Sequence, residues 1–534
     1  MSAILQTDIV ILGGTPAGIA AAIAAARLGR SVLLIEPQSH LGGMSTSGLG
    51  KSDVERRHLI GGLFQEFTQR IHQYYLDHYE PESKDVSLCQ NGYYFEPSVA
   101  ETVFHDMLEH PQIKILTKHR LVSATTSENR LIAIEIIDTT AGTSQAVRAQ
   151  TFIDATYEGD LFAAAGADFR LGRESRNEFN EPHAGQIYFD YQRQQFLPGS
   201  TGAGDDRLPA YTYRLCLTTD PANAAQLTEP PPDYDRSHYL GYFEDLAAGR
   251  LAGPLQLKPG RGYEPAHFNT MVRAFSITPL PNRKTDVNIN PRPLGFPFPE
   301  LNRGYVMGDT ATRLAISTNI RNRTLGLLWF LQNDKQIPPA QREIACQYHL
   351  PSDEFTDNDH FPWQLYIREA RRLKGEFTLT ERQITHQPEQ GINQSEIEAF
   401  PDTIAIGEFP IDSFPCQTRQ PGDTIVLEGY LGMLDQITRP YEIPYRIMIP
   451  QTIDGLIVPV AASTTHVAFS SIRMEPTWMA LGQAAGIAAH LAIQAQCAPR
   501  NIPINELQQQ LARVGQILKH HPASTSSSAK EPLS

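Results

Sequence analysis

Apolar positions along this chain recur with the period of strands in some stretches and of helices in others, and the changes between the two mark its elements. Asp8 to Leu12 is a short apolar run with β-branched residues that ends on Gly13 and Gly14, which predicts a buried strand entering a tight turn. Pro16 suits the first turn of a helix, where a missing N–H costs nothing. The alanine-rich stretch from Ala17 to Leu28 predicts a helix whose backbone can lie close to a sheet, stopped by Gly29. Ser31 to Ile35 predicts a second buried strand, closed by Glu36. Further on, Phe64, Phe67, Ile71 and Tyr75 give a helical stripe within Leu59 to Tyr79, and Pro97 to Leu108 gives another, with a loop over Asn91 to Glu96. Ile113 to Val122, Leu131 to Ile137 and Val147 to Ala155 read as strands.

Past Gly166 the texture changes. Asp168 to Gly262 is rich in Pro, Gly, Arg and Tyr, with loops at PGSTGAGDD and EPPPDYD. Regularity returns near Pro444, where Ile443 to Ile449 and Leu456 to Val460 are expected strands. After a polar loop Pro476 opens a helix, Gly482 to Ala492 repeats the small-residue pattern of Ala17 to Ala26, and Pro503 to Leu518 is a final amphipathic helix. His520 to Ser534 is low in complexity and expected to be disordered. The expected domains are a nucleotide-binding part over 1–166, an inserted α+β substrate or cap domain over 167–442, a return of the first domain over 443–518, and a tail over 519–534.

The chemistry starts at the first strand, turn and helix. A helix N-terminus offers unpaired N–H groups and the positive end of its dipole to a pyrophosphate, and glycines let the backbone approach. Glu36 stands eighteen positions after Gly18, where a carboxylate can accept the hydroxyls of an adenosine ribose. The G-x-G-x-x-G fingerprint is imperfect: aligned on Gly13 and Gly18, its middle glycine is Thr15. Either Gly14 compensates or the Thr15 hydroxyl bonds a phosphate oxygen; a doubly wound fold with no nucleotide is the bland alternative. The segment Pro37 to Gly50, PQSHLGGMSTSGLG, is dense in glycine and hydroxyls and can wrap a second phosphate and a ribityl chain. An ordinary surface loop would read the same way.

At this point the chain resembles the FAD-dependent oxidoreductases whose nucleotide domain is shared with glutathione reductase and with the flavoprotein subunits of succinate dehydrogenase and fumarate reductase. The shared segments are GGTPAGIAAA, the HLGGM turn, DATYEGDL at the end of an apolar strand, the KTD and REARRL stretches, and HVAFSSIRMEP running to GQAAG, so the resemblance covers most of residues 5 to 518. It implies an α/β fold: a discontinuous Rossmann-like FAD-binding domain of the glutathione reductase type with the inserted domain. It also implies FAD held by Gly13, Gly14, Thr15, Pro16, Ala17 and Gly18 at the first turn and by Glu36 and Pro37 at the ribose. Gly42, Gly43, Met44, Ser45, Thr46 and Ser47 match the positions along the flavin. Val122 ends a strand beside the nucleotide, and Ala155, Thr156, Gly159 and Asp160 form a small-residue turn beneath it, where Asp160 could also simply cap a helix. Glu475 and Gly482 belong to the C-terminal helix, whose N-terminus points at the pyrimidine edge of the flavin. Phe414 stands where many members are expected to carry His, which puts proton transfer at that position in doubt.

Composition narrows the class. The chain has 534 residues, too many for one core, and 41% hydrophobic residues, ample for a globular protein. Its net charge of −14 and the lack of a basic block argue against a nucleic-acid partner. Cys89, Cys216, Cys346, Cys416 and Cys497 are far apart, so no C-x-x-C redox pair or zinc knuckle is formed and no metal is expected; buried thiols of a reducing compartment are. With no signal sequence and no bilayer-spanning stretch visible, the expected location is the cytoplasm, without membrane insertion.

FAD carries hydride chemistry at N5, and the protein must hold a small organic substrate, such as a carboxylic or hydroxy acid, and move a proton. His466 and Arg473 are the catalytic candidates: a histidine side chain can transfer protons near neutral pH, and an arginine can pin a carboxylate. Their bland alternatives are a hydrogen-bonded core histidine and an arginine that caps local backbone. Arg368, Arg371 and Arg372 fit a solvated helix face as well as a substrate pocket, and His40 beside the Gly-Gly turn is expected to be structural rather than a covalent flavin tether. A non-redox lyase, hydratase or thiazole-synthase-like enzyme, or a flavin-loaded sensor, is compatible with the same fold. The substrate, electron acceptor and oligomeric state are open.

Overall fold

The computed structural model describes residues 4–190, 193–247, 275–289, 298–386, 399–418 and 427–520. The expected disorder of the tail falls almost wholly outside these residues. The chain begins as anticipated: β1 (Leu5–Leu12), α1 (Pro16–Arg27) and β2 (Val32–Ile35) form a parallel β-α-β unit, with Ile9 to Leu12 paired to Val32 to Ile35. Two longer helices follow, α2 (Gly62–His78) and α3 (Pro97–Leu108), burying Phe64, Phe67, Ile71 and Tyr75 in one and Val99, Val103, Phe104 and Met107 in the other.

The expected strand Ile113 to Val122 is two strands. β3 (Ile113–Leu116) and β4 (His119–Ser127) are broken at Lys118, whose φ of 57° no strand adopts. β5 (Arg130–Asp138) and β6 (Ser144–Asp154) complete this part, and α4 (Asp160–Ala164) follows. In the middle of the chain, β7 (Leu215–Thr218), β8 (Phe275–Pro279) and β9 (Lys284–Ile289) make an antiparallel sheet ordered β7-β9-β8, next in sequence to the long α5 (Thr310–Asn333). β10 (Thr403–Gly407) pairs antiparallel with β11 (Tyr441–Pro444); the expected strand Ile443 to Ile449 turns into a 3-10 turn at Tyr445.

The C-terminal segment returns to the first sheet through β12 (Leu456–Ile457). The main sheet has seven strands in the order β3-β2-β1-β6-β5-β4, with β12 also on β6. β1, β2, β3, β6 and β12 run parallel, whereas β5 and β4 are antiparallel additions. β6 is long enough for one edge to serve two neighbours, β5 over Ser144 to Arg148 and β12 over Phe152 and Ile153. Parallel strands covered on both faces read as unbroken apolar runs, as β1 and β2 do.

After β12 come α6 (His466–Ile472), α7 (Glu475–Gln494) and α8 (Ile504–Arg513). HVAFSSI, expected as an apolar segment before the Pro476 helix, is itself a helix, capped by the Thr465 hydroxyl and buried throughout. α1 and α7 pack backbone to backbone. A Cβ on Gly482 would lie 2.0 Å from the Ala17 carbonyl oxygen, and one on Gly486 2.3 Å from that of Ala21, so only glycine permits this approach. Cys89, Cys216 and Cys416 are buried, but Cys346 is exposed and Cys497 half-buried, so the thiols are not uniformly sequestered as expected.

Candidate active site

The C-terminal ends of β1 and β2 and the N-terminus of α1 open onto a cavity of about 670 Å³. Gly13, Thr15, Glu36, Pro37, Gly43, Val122, Thr156 and Asp160 line it, so the structure brings together eight of the expected cofactor positions from four separate segments. Gly13 has a φ of 103°, and a Cβ there would sit 2.6 Å from the Ala155 backbone. The first turn is thus closed against the β6 turn, leaving a bare backbone edge toward the cavity. Ala155 itself is buried behind it.

The two alternatives for the imperfect fingerprint resolve differently from either expectation. The Thr15 hydroxyl donates to the Ala155 carbonyl at 2.8 Å and accepts the Gly18 N–H at 3.3 Å, so it caps α1 and its one proton is committed. The Gly14 N–H donates to Glu36 Oε2 at 2.7 Å, so Gly14 fixes the acid. The other oxygen, Oε1, accepts the Gln38 N–H at 2.9 Å. Burial pushes the Glu36 carboxyl up to about 7. Each carboxylate oxygen retains a further lone pair for a ribose hydroxyl.

Other expected cofactor residues are placed away from the cavity lining. Pro16, Ala17 and Gly18 form the buried first turn of α1, and a Cβ on Gly18 would meet the Gly13 carbonyl oxygen at 1.9 Å. Gly42, Met44 and Ser45 are buried beneath the turn that Gly43 presents. Gly482 lies against Ala17, so its role is helix packing rather than contact with a nucleotide. Gly159 is the N-cap of α4, and Asp160, instead of capping, receives Arg313 Nη1 at 2.6 Å and Arg371 Nη1 at 2.8 Å on the cavity wall.

Sequence reading missed the groups that hold the turn after β6. Asp154 is fully buried; its Oδ1 accepts the Thr156 hydroxyl at 2.6 Å and the Thr156 N–H at 3.1 Å, while Oδ2 accepts the Phe162 N–H at 2.9 Å. An acid closing an apolar strand was the available signal. Tyr157 links the flavin-loop segment to the C-terminal helix: the Met44 N–H donates to its hydroxyl at 3.0 Å, and that hydroxyl donates to Glu475 Oε1 at 2.5 Å. Burial pushes the Glu475 carboxyl up to about 8, and among the described residues neither Glu475 Oε2 nor the neighbouring Trp478 Nε1 has a hydrogen-bond partner.

These features fit FAD on their own terms. There is a cavity continuous from a ribose acceptor to the Gly43 turn, a first turn whose Cβ-free edge allows a diphosphate to approach, and unpaired donor and acceptor atoms at the start of α7.

Around the start of α6 lies a second cluster, fully buried. His466 is the first residue of that helix, and its N–H donates to Glu174 Oε2 at 2.9 Å. Its ring Nδ1 is 2.7 Å from Glu369 Oε2, a pairing in which the carboxylate accepts the Nδ1–H and Nε2 is the second ring nitrogen. Arg372 lies on the other side of Glu369, with Nε 2.8 Å from Oε1, and also donates to Glu174 Oε1 at 2.8 Å. Arg473 is the C-cap of α6; Nη1 donates to the Tyr366 hydroxyl at 2.9 Å and Nη2 to the Asp412 carbonyl at 2.7 Å. The backbone-capping alternative is therefore partly true of Arg473, and a hydrogen-bonded histidine describes His466.

The REARRL stretch is neither helical nor solvated. Arg368, Arg371 and Arg372 are buried, and Arg372 and Leu373 form a short bridge to Phe169 and Arg170. Phe414, in place of an expected histidine, stacks on the Arg368 guanidinium at 3.5 Å from the ring centroid. His40 ties its loop down through Glu101 and Asp357, each at 2.9 Å, and stacks on Trp363, matching its structural reading.

Comparison with known proteins adds a family match. A family described as FAD dependent oxidoreductase matches residues 8–511. No curated protein matches the chain. Among solved structures, the flavin-dependent monooxygenase PieE in complex with FAD and substrate is 17% identical over 32% of this chain and 33% of that one, with a TM-score of 0.22. L-proline dehydrogenase from P. horikoshii is 16% identical over 33% and 26%, with a TM-score of 0.18. Thermovibrio ammonificans THI4 is 19% identical over 32% and 67%, with a TM-score of 0.22. The chain spans between 26% and 40% of the length of the first structures it matches, and likenesses this small carry no weight for function.

Proposed function

From the premise that this chain belongs to the FAD-dependent oxidoreductase family, we propose that it oxidises or reduces a small organic substrate by hydride transfer through flavin N5, with His466 handling the proton. One observation carries the reading. The Glu369–His466 pair is buried, oriented by Arg372, and set at the N-terminus of a helix that leads directly into α7.

When bound, FAD supplies a two-electron acceptor or donor. Glu36 would hold the ribose, the Gly13 turn and α1 the diphosphate, and the Gly43 turn with Glu475 and Tyr157 the ring system. At the reacting end, Glu369 accepts the Nδ1–H of His466 and keeps Nε2 free to take a proton from a substrate hydroxyl or to return one. Burial of this pair excludes water, which would otherwise compete for the proton. Arg473 is offered as a second group facing substrate. The return of β12 to β6 supports a discontinuous nucleotide domain of the glutathione reductase type, with the intervening residues as the inserted domain. Partners in this reading are a small-molecule substrate and an electron acceptor of unassigned identity, with neither nucleic acid nor membrane insertion. Among the described residues no helix is long and apolar enough to cross a membrane, and a cytoplasmic setting is the one we adopt.

The test is an anaerobic titration of the yellow holoprotein with a panel of small hydroxy acids, carboxylic acids and alcohols. Bleaching of the flavin by one of them, reversed by air or an added acceptor, is the expected outcome. Conversion of substrate with the flavin colour unchanged would instead identify non-redox chemistry.

A further inference from the structure

We propose that Arg368 holds the carboxylate of the substrate, so that the reaction acts on an organic acid rather than a neutral alcohol or amine. This deepens the reading above and rests on it. Arg368 is 1% exposed, and its guanidinium is sandwiched between the rings of Tyr366 at 4.2 Å and Phe414 at 3.5 Å. Nη1 donates to the Ala210 carbonyl at 2.9 Å and to the Thr212 hydroxyl at 2.8 Å, and Nη2 donates to Asn288 Oδ1 at 3.3 Å. All three acceptors are neutral. Of the five N–H groups of a guanidinium, these bonds leave the Nε–H and one on Nη2, and Nε is buried with no partner among the described residues.

Every neighbouring arginine has an acid. Arg214 pairs with Asp286 at 2.8 Å and Asp53 at 3.0 Å, Arg372 with Glu174 and Glu369, Arg371 with Asp160, and Arg473 lies 3.7 Å from Asp412. Arg368 makes no ion pair among the described residues. An isolated charge taken out of water is costly, and proteins bury one only with a counter-charge or a use for it. The positive charges of Arg473 and Arg214 favour an anion there, against the nearby carboxylate of Asp412. The rings above and below block the faces of the guanidinium, so a ligand can reach only its edge, where Nε–H and Nη2–H receive a planar carboxylate through two parallel bonds.

The placement suits a substrate of the proposed reaction. Thr212 and Tyr366, which hold and stack on Arg368, are paired with each other and are each adjacent in sequence to a residue lining the large cavity, Tyr213 and Leu365. Glu369, next in the chain, carries His466. A carboxylate on Arg368 would therefore place the substrate beside Glu369, the residue that holds His466.

The probe is acetate, with isosteric, neutral acetamide as its control, added to the FAD-loaded protein at constant ionic strength. Binding is read by calorimetry and by the flavin difference spectrum. Acetate is expected to bind saturably and acetamide at least tenfold more weakly. Arg368→Met should abolish acetate binding, and Arg368→Lys, which keeps the charge and loses the fork, should weaken it at least tenfold. Equal binding of the two probes, or unchanged acetate affinity in Arg368→Met, overturns the proposal. If Arg368→Met fails to load FAD, Arg368→Lys decides: wild-type affinity there overturns it. Acetate need not react, so the outcome is separable from the redox reading. Acetate binding that depends on Arg368, with no substrate ever bleaching the flavin, would sustain this site and defeat the redox assignment. Bleaching by a neutral alcohol with no effect of acetate would do the reverse.

Discussion

Glu36 answers to two needs at once. Its carboxylate accepts the Gly14 and Gln38 N–H groups, which braces the first turn against the second strand, and the residue lines the cavity. Glu36→Ala is therefore expected to weaken FAD binding by about 1–3 kcal/mol, the cost of leaving charged-group hydrogen bonds unmade, with a smaller loss of thermal stability from the two freed N–H groups. Flavin retention on repeated ultrafiltration measures the first and a melting curve the second; unchanged retention removes Glu36 from the site. The place of Glu36 at the cavity was legible from its position after the glycines. Glu369 and Tyr157 were not, because they act on partners 97 and 318 positions away, separations no local pattern reports, whereas Asp154, bonded to Thr156 two positions on, left a local signal.

At the scale of elements, the strongest sequence signal was the alanine and glycine content shared by α1 and α7, which proved to be a single interface between the two ends of the chain. Gly482→Val places a branched side chain onto the Ala17 backbone; overpacking of this kind costs typically about 1–3 kcal/mol, and a lowered melting temperature together with reduced FAD content is expected. The short α6 escaped detection because seven residues leave too little room for a helical period to show.

A second element-scale prediction concerns the loop carrying His40. Its hydrogen bond to Glu101, helped by Asp357, raises the imidazole to about 9. A histidine whose folded value lies above its unfolded value of about 6.5 adds stability that is complete below that pH and is lost as the pH rises through about 9. Because His40 stacks on Trp363, a cavity-lining residue, the emission of Trp363 should change with a midpoint near pH 9, and the change should vanish in His40→Ala. A titration that is flat from neutral pH to pH 10 would contradict the assignment, with Trp363→Phe as the control for the other tryptophans.

For the molecule as a whole, the parallel core of the main sheet was readable from unbroken apolar runs, while the middle of the chain was not. There, β7 owes its pairing to β9, some seventy residues further on, and Arg371 and Arg372 are fixed by the acids Asp160, Glu174 and Glu369 rather than by helical periodicity. The protein is expected to release FAD into the supernatant on acid precipitation, because His40, the histidine nearest the Gly-Gly turn, is held by two carboxylates; a coloured pellet would show a covalent link instead.

The central claim is that one set of residues holds FAD while another, around His466, moves the proton. It is tested most directly by single-turnover reduction of the bound flavin under anaerobic conditions, once a reducing substrate is found. Wild type, His466→Ala and Glu369→Gln would be compared at equal FAD content. The account predicts full FAD loading in all three, flavin reduction slowed by about a hundred- to ten-thousand-fold in His466→Ala, and a smaller loss with an altered pH profile in Glu369→Gln. Wild-type reduction rates in His466→Ala would contradict it.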